Sequence, residues 1–126
     1  MALVHEELTA AILECCFEVS RELGCGFLES VYEKALLIAL RQKGIRAKSQ
    51  VPLSVIFRGE VVGEFFADIL VEDRVLVELK SAKSLAPEHQ AQVINYLKAS
   101  GIEIGLLINF GSPKLEFKRM YSRATN

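Results

Sequence analysis

Several features that would assign a protein to a class directly are scarce or missing in this sequence. Cysteine is one of them. The chain has three, and Cys15, Cys16 and Cys25 give no paired spacing typical of zinc or iron–sulfur sites. We therefore predict buried thiols that behave as small hydrophobic side chains. Long hydrophobic runs are also missing, since the longest apolar stretch is far shorter than the roughly 20 residues of a membrane span.

The N-terminal region lacks the pattern of a signal peptide. Such a peptide needs an apolar core without charges. Four glutamates are mixed with the apolar positions of residues 2–22: Glu6, Glu7, Glu14 and Glu18. We therefore expect a cytoplasmic protein.

Net charge is nearly absent as well. The formal charge is −1, whereas a dedicated nucleic-acid binder is usually basic, so overall charge argues mildly against DNA or RNA as a partner. Two local basic clusters depart from this average, and the simpler interpretation of each is a solvated face. The clusters are Arg41, Lys43, Arg46 and Lys48, and Lys114, Lys118, Arg119 and Arg123.

The residues that are present suffice for one packed domain over 1–126. The chain has 126 residues, of which 51% are hydrophobic, enough for a single core. Apolar periodicity predicts helices and strands. The helices cover 3–23, about 28–43 and 87–100, and the strands 47–57, 61–71, 74–80 and 103–110, with alternation over 114–120 that allows a last strand.

These elements predict an α/β fold with a mixed central sheet flanked by helices. The helix between residues 80 and 103 is a plausible crossover to a parallel strand. The second helix is apolar on most sides, so we expect it to be largely buried.

Charged residues inside the predicted strands carry the strongest functional signal. Asp68 lies near the end of one apolar run, and Glu78-Leu79-Lys80 closes the next. Buried charges must be paired or bound to metal. Two carboxylates and a lysine that converge could hold a divalent cation and a reactive water beside a phosphodiester.

Whether Asp68 meets Glu78 depends on strand register. A three-residue loop at 72–74 sets the two residues opposite each other, with Cβ atoms about 5 Å apart. A two-residue turn sets Asp68 opposite Val77, on the wrong face. The alternative is a surface ladder in which Glu78 pairs with Lys80 or Arg74, and such pairs contribute little.

Two helices carry further polar candidates. Glu29 borders the apolar face at the start of the second helix, where placement near the positive end of the helix dipole is the simpler explanation. On the third helix His89, Gln92 and Tyr96 share one face. The simpler explanation there is an ordinary polar edge.

Several blocks of the chain resemble a known family. Residues 26–32 (Gly-Phe-Leu-Glu-Ser-Val-Tyr) match a GxxExxY signature. Together with the blocks at 66–68, 77–80, 91–97 and 105–110, in this order, they are similar to the GxxExxY family of the PD-(D/E)XK nuclease superfamily. The resemblance covers almost the whole chain. The proline that precedes the first aspartate in the superfamily is Ala67 here.

The resemblance implies a restriction-endonuclease-like αβββαβ core with a four-stranded mixed sheet, and hydrolysis of phosphodiester bonds in DNA or RNA with Mg²⁺ (or Mn²⁺). It implies that Asp68, Glu78 and the Leu79 carbonyl bind the metal and that Glu29 holds a water or a second ion. On this basis we expect Lys80 to orient the attacking water or to stabilise charge on the phosphoryl oxygens. Gln92 would fix Lys80 or a water, and Tyr96 would contact the scissile phosphate or a base.

Other functions are compatible with the same sequence. The fold also serves non-catalytic modules that bind nucleic acid or a protein, and a purely structural module would leave Glu29, Asp68 and Glu78 far apart or locked in salt bridges. We expect nucleic acid as the partner, and no membrane. A homodimer is left open, because other small members of the superfamily pair up.

Overall fold

Two helices precede the sheet in the chain, and a third helix connects its two parallel strands. The computed structural model describes residues 5–122. Its elements are α1 (Glu6–Leu23), α2 (Glu29–Gln42), β1 (Ala47–Phe57), β2 (Glu60–Val71), β3 (Val75–Lys80), α3 (Pro87–Ser100), β4 (Ile104–Asn109) and β5 (Glu116–Tyr121). Among these residues no helix is both long enough and apolar enough to cross a bilayer.

The sheet is mixed, as the sequence predicts. Its order is β1-β2-β3-β4-β5. The β3/β4 pair is parallel and is connected through α3, and the other three pairs are antiparallel. The αβββαβ order is therefore present, and β5 adds a fifth strand to the four that the resemblance implies.

Two hydrophobic cores lie on opposite faces of the sheet. The helices α1 and α2 cover one face and α3 covers the other. The first core includes Ile12, Leu36, Ile69, Val77 and Ile108. The second includes Leu53, Ala67, Leu76, Val93 and Leu107. Neighbouring residues of β3 thus alternate between the two cores, as a strand buried on both sides requires.

The helix α2 is less buried than its sequence predicts. Tyr32, Leu36 and Leu40 are fully buried, but Val31 and Ile38 are 37% and 45% exposed. The prediction of a largely buried helix is wrong because α1 and the sheet cover only one side of it.

The thiols and the basic residues divide between core and surface. Cys15 and Cys16 are buried as predicted, and burial raises the pKa of both thiols. Cys25 is exposed, against the prediction, because the loop between α1 and α2 runs over the surface.

Much of the first basic cluster is neutralised by ion pairs: Lys43 with Glu14 and Glu18, Arg46 with Glu72, and Lys48 with Asp73. Arg123 of the second cluster lies outside the described residues.

The long β1–β2 hairpin changes the helix layer against which it packs. Ile69 contributes to the core under α1 and α2, whereas Ala67, two residues away, packs against α3. On the paired strand, Gln50 has a φ of +52°, a left-handed conformation that is uncommon outside glycine. The hairpin thus switches layers at the level of Gln50 and Asp68.

Candidate active site

The register between β2 and β3 meets the condition on which the acidic pair depends. Val71 pairs with Val75 and Ile69 with Val77, which leaves a three-residue loop. In that loop Glu72 and Asp73 both have positive φ. This register sets Asp68 opposite Glu78, so the prediction of an odd loop length is confirmed.

Beyond the Ile69–Val77 pair, side-chain hydrogen bonds of Asp68 and Glu78 join β2 to β3 in place of backbone pairing. The Asp68 N–H donates to Glu78 Oε1 at 2.8 Å, and the Leu79 N–H donates to Asp68 Oδ2, also at 2.8 Å. Each carboxylate therefore binds the backbone of the opposite strand. These bonds hold the two carboxyl groups side by side at the end of the paired region.

The surface-ladder alternative does not describe this pair. Glu78 is only 3% exposed, and in the described part of the chain neither Lys80 nor Arg74 forms a salt bridge with it. Lys80 instead donates from Nζ to Gln92 Oε1 at 2.7 Å. The buried acid is thus left without a direct cationic partner.

The surroundings of the pair favour a bound proton. Burial, followed by the nearby charge of Asp68, raises the pKa of Glu78 to about 8, against the opposing effects of backbone hydrogen bonding and Lys80. Burial also raises the pKa of Asp68, and the charge of Glu29 adds to that rise. Two adjacent carboxyl groups with raised pKa values are a common feature of functional sites.

A chain of hydrogen bonds runs from Lys80 into α3. Gln92 accepts from Lys80 and donates from Nε2 to Tyr96 Oη at 3.1 Å. Burial raises the pKa of Tyr96, so its hydroxyl keeps a proton. The structure therefore joins Lys80, Gln92 and Tyr96 in one hydrogen-bonded chain.

His89 has a different role from its neighbours on α3. Its side-chain Nδ1 accepts the Ala86 N–H at 3.0 Å, and its backbone N–H donates to the Ala86 carbonyl at 3.0 Å. His89 therefore caps the N-terminus of α3, where backbone groups lack helical partners.

The GxxExxY segment places Glu29 at the first position of α2. Gly26 has a φ of +115°, which a side chain would strain. The Tyr32 hydroxyl donates to the Gly24 carbonyl at 2.7 Å and accepts the Phe27 N–H at 3.2 Å. The tyrosine therefore anchors the loop from inside the core and sets where the helix begins.

Two polar residues that the sequence did not single out lie beside the acids. Gln50 donates from Nε2 to Glu33 Oε1 at 2.9 Å, and its side chain lowers the pKa of Asp68. Burial raises the pKa of Glu33, with a smaller rise from the charge of Asp68. Glu33 lies one turn after Glu29 on α2, a spacing that could have signalled it.

The third predicted acid, Glu29, does not join Asp68 and Glu78 in one cluster. Within residues 5–122, no group of three or more His, Cys, Asp or Glu side chains is arranged to hold a metal ion. Glu29 is exposed and affects Asp68 through its charge. The predicted convergence of all three acids on one spot is thus only partly present.

The donors at the pair nevertheless fit a hard divalent cation. Mg²⁺ is commonly bound through one or two carboxylates and keeps several waters. Asp68 and Glu78 supply two such carboxylates, and a dication would relieve the repulsion and burial that raise their pKa values. The Leu79 carbonyl belongs to the same strand segment.

A second loop, after β3, is fixed by a residue that sequence analysis missed. Asn109 is fully buried; its Oδ1 accepts the Ala82 and Gly111 N–H groups, each at 2.9 Å, and its Nδ2 donates to the Ala82 carbonyl at 2.9 Å. The Ser81 hydroxyl also donates to the Phe27 carbonyl at 2.7 Å. These bonds join the segment after Lys80 to the loop that carries Glu29.

A profile of the PD-(D/E)XK nuclease superfamily matches residues 6–120. The chain therefore belongs to the PD-(D/E)XK nuclease superfamily. Its fold is similar to the crystal structure of SSO0001, with a TM-score of 0.60 and 17% sequence identity over 76% of this chain. The chain spans half the length of that protein, so the likeness concerns the fold. No protein with a curated description matches the sequence.

Proposed function

We propose that this protein is a nuclease that hydrolyses phosphodiester bonds in nucleic acid and depends on Mg²⁺ or Mn²⁺. One observation carries the proposal: Asp68 and Glu78 bind each other's strand and form an acidic pair, with Glu78 buried and Asp68 partly exposed, that has no salt bridge to Lys80 or Arg74. A structural role would favour a compensating ion pair at such a position.

The acidic pair would hold the metal. Asp68, Glu78 and the Leu79 carbonyl are the proposed ligands. When bound, the ion would polarise the phosphate and lower the pKa of an attacking water. The raised pKa values of both acids mean that they give up a proton when they take a cation.

Lys80 is the proposed electrostatic group of the site. Its ammonium is held by Gln92, and its charge lowers the pKa of both acids, so it lies within their field. A cation fixed in this way can stabilise negative charge that develops on the phosphoryl oxygens. Because Tyr96 Oη accepts from Gln92, its own proton is available for a phosphate oxygen or a base.

Glu29 is proposed to act from the edge of the site. It lines a shallow groove together with Ser81 and Lys83. Since no third acid of residues 5–122 joins the pair directly, Glu29 would hold a water rather than contact the first metal. We further propose that the chain belongs to the GxxExxY family, in support of which Gly26 has a positive φ and the Tyr32 hydroxyl fixes the loop before Glu29.

The test is cleavage of labelled single-stranded DNA, duplex DNA and RNA with Mg²⁺, Mn²⁺ or EDTA. We expect metal-dependent cleavage that falls at least about 100-fold in Asp68→Asn and Glu78→Gln, because each metal ligand contributes several kcal/mol. Glu72→Gln is the matched control. Glu72 is an acid of the loop between β2 and β3, and it pairs with Arg46 at the surface.

Cleavage that persists in EDTA, or that survives Glu78→Gln unchanged, would contradict the proposal. Binding of nucleic acid without cleavage by any metal would support the second candidate, a non-catalytic binding module. This second function is favoured over a purely structural one because Asp68 is partly exposed, so a ligand can still reach the acidic pair.

A further inference from the structure

A groove lies between α3 and the part of the β1–β2 hairpin that contains residues 54–56 and Phe65. Its volume is about 880 Å³, within the range of roughly 300–1,000 Å³ of small-molecule sites. The hairpin wall contains Ser54, Val55, Ile56 and Phe65. The helix wall contains Ala91, Gln92, Asn95, Tyr96 and Ala99.

The groove is continuous with the candidate active site. Gln92 and Tyr96 line the groove and are also the two members of the hydrogen-bonded chain that begins at Lys80. A molecule that fills the groove therefore ends next to the groups that would act on a phosphate.

One aromatic ring of the groove is half-exposed. Phe65 is 44% exposed, whereas Tyr96 is 8% exposed. The two rings lie 5.7 Å apart between centroids and are tilted by 39°, so Tyr96 supports Phe65 without covering it. An exposed aromatic ring beside a polar site is a platform on which a nucleobase can stack.

The polar residues of the groove suit the rest of a nucleotide. Asn95 is exposed, and its amide can donate to and accept from a base edge. Lys98 lies at one end of the helix wall and Glu88 at the other, about 15 Å apart at the helical rise. The lysine end is therefore suited to the phosphate backbone and the glutamate end is not.

Resting on the proposed nuclease function, we infer that this groove receives an unpaired nucleobase and that the substrate is single-stranded or locally melted nucleic acid. In a duplex each base is stacked on both sides and cannot enter a walled groove unless it is flipped out. A base stacked on Phe65 would lie beside Tyr96, which is joined through Gln92 to Lys80.

The test is binding of a labelled oligonucleotide in EDTA, which separates binding from metal-dependent cleavage. We compare a single strand, its duplex and an abasic strand of the same length, in DNA and in RNA. We expect Phe65→Ala to weaken binding of the base-containing strand about 5- to 150-fold, the equivalent of about 1–3 kcal/mol for one stacked base. Binding of the abasic strand should not respond to the substitution.

Two variants serve as controls. Phe65→Tyr retains the ring and should bind within about twofold of the wild type. Phe17→Ala removes a comparably exposed aromatic residue, paired with Phe117, from α1 on the other face of the sheet, and should bind normally. Asn95→Ala tests the groove independently if Phe65→Ala fails to fold, and should weaken binding of the single strand but not of the abasic strand.

Equal affinity for base-containing and abasic strands, tighter binding of the duplex, or no binding of any oligonucleotide would overturn the inference. Cleavage confined to duplex and insensitive to Phe65→Ala would overturn it while leaving the nuclease proposal intact. Conversely, binding that depends on bases and on Phe65, without cleavage in Mg²⁺ or Mn²⁺, would support the groove and refute the hydrolase.

Discussion

At the level of single residues, the acidic pair depends on Gln50, which lies opposite Asp68 where the hairpin changes layers and has a left-handed backbone. Asp68 and Glu78 stand out because charge is costly inside apolar strands, and the three-residue loop confirms that they face each other. Gln50 gave no such signal. A regular hairpin from the Phe57–Glu60 pair would set it opposite Ala67, but the bulge near Val55 shifts the register by one residue.

The conformation of Gln50 leads to a prediction that separates stability from function. In Gln50→Gly the left-handed backbone becomes unstrained, so the free energy of unfolding should be kept or rise by up to about 1 kcal/mol. Metal-dependent cleavage should nevertheless fall about 10- to 100-fold, as for other residues that orient metal ligands. Urea unfolding and cleavage assays on one preparation measure both.

Ser49→Ala is the control for Gln50→Gly, since Ser49 is the preceding exposed residue of β1 and should leave stability and cleavage unchanged. A parallel loss of stability and cleavage in Gln50→Gly would mean that the glutamine supports the hairpin rather than Asp68.

At the level of elements, the loops that flank the site are held by close packing of backbone on backbone. A Cβ atom on Gly111 would lie 2.2 Å from both the N and the O of Ala82, a distance that no rotamer change can relieve. The loop after β3 therefore lies directly against the segment after β4. This contact requires glycine for space and not for an unusual φ.

We expect Gly111→Ala to lower the free energy of unfolding by about 1–3 kcal/mol, the usual range for overpacking. It should also reduce cleavage, because the displaced loop follows Lys80. Chemical denaturation and the cleavage assay test the two effects. Gly44→Ala is the comparison: its Cβ would meet nothing within 4 Å but would adopt a φ of +75°, so it should cost about 1 kcal/mol and leave cleavage unchanged.

A Gly111→Ala protein as stable as the wild type would show that the segments of Gly111 and Ala82 can move apart without loss of stability.

At the level of the whole molecule, the site makes stability depend on pH. The folded protein holds a proton on Glu78 up to about pH 8, whereas the unfolded chain releases it near the ordinary value of 4.5. The unfolded state thus binds fewer protons in this window, and stability falls as pH rises. The slope from this one group is at most about 1.4 kcal/mol per pH unit.

Thermal unfolding in EDTA should therefore give a lower melting temperature near pH 8 than near pH 5, and Glu78→Gln should flatten the dependence. Mn²⁺ or Mg²⁺ should stabilise the protein more at the higher pH, because the metal competes with that proton. A melting temperature that rises with pH in EDTA, or a metal effect independent of pH, would contradict this account of the pair.

The elements, their α/β order and the acidic candidates could be predicted from the residues alone, because apolar periodicity and charge within apolar runs are local properties of the chain. The extent to which the acids converge, the hydrogen bond from Lys80 to Gln92 and the change of layers at Gln50 became known only from the folded chain. These depend on register, on a bulge and on the packing of α3 against the sheet, which arise between segments distant in sequence.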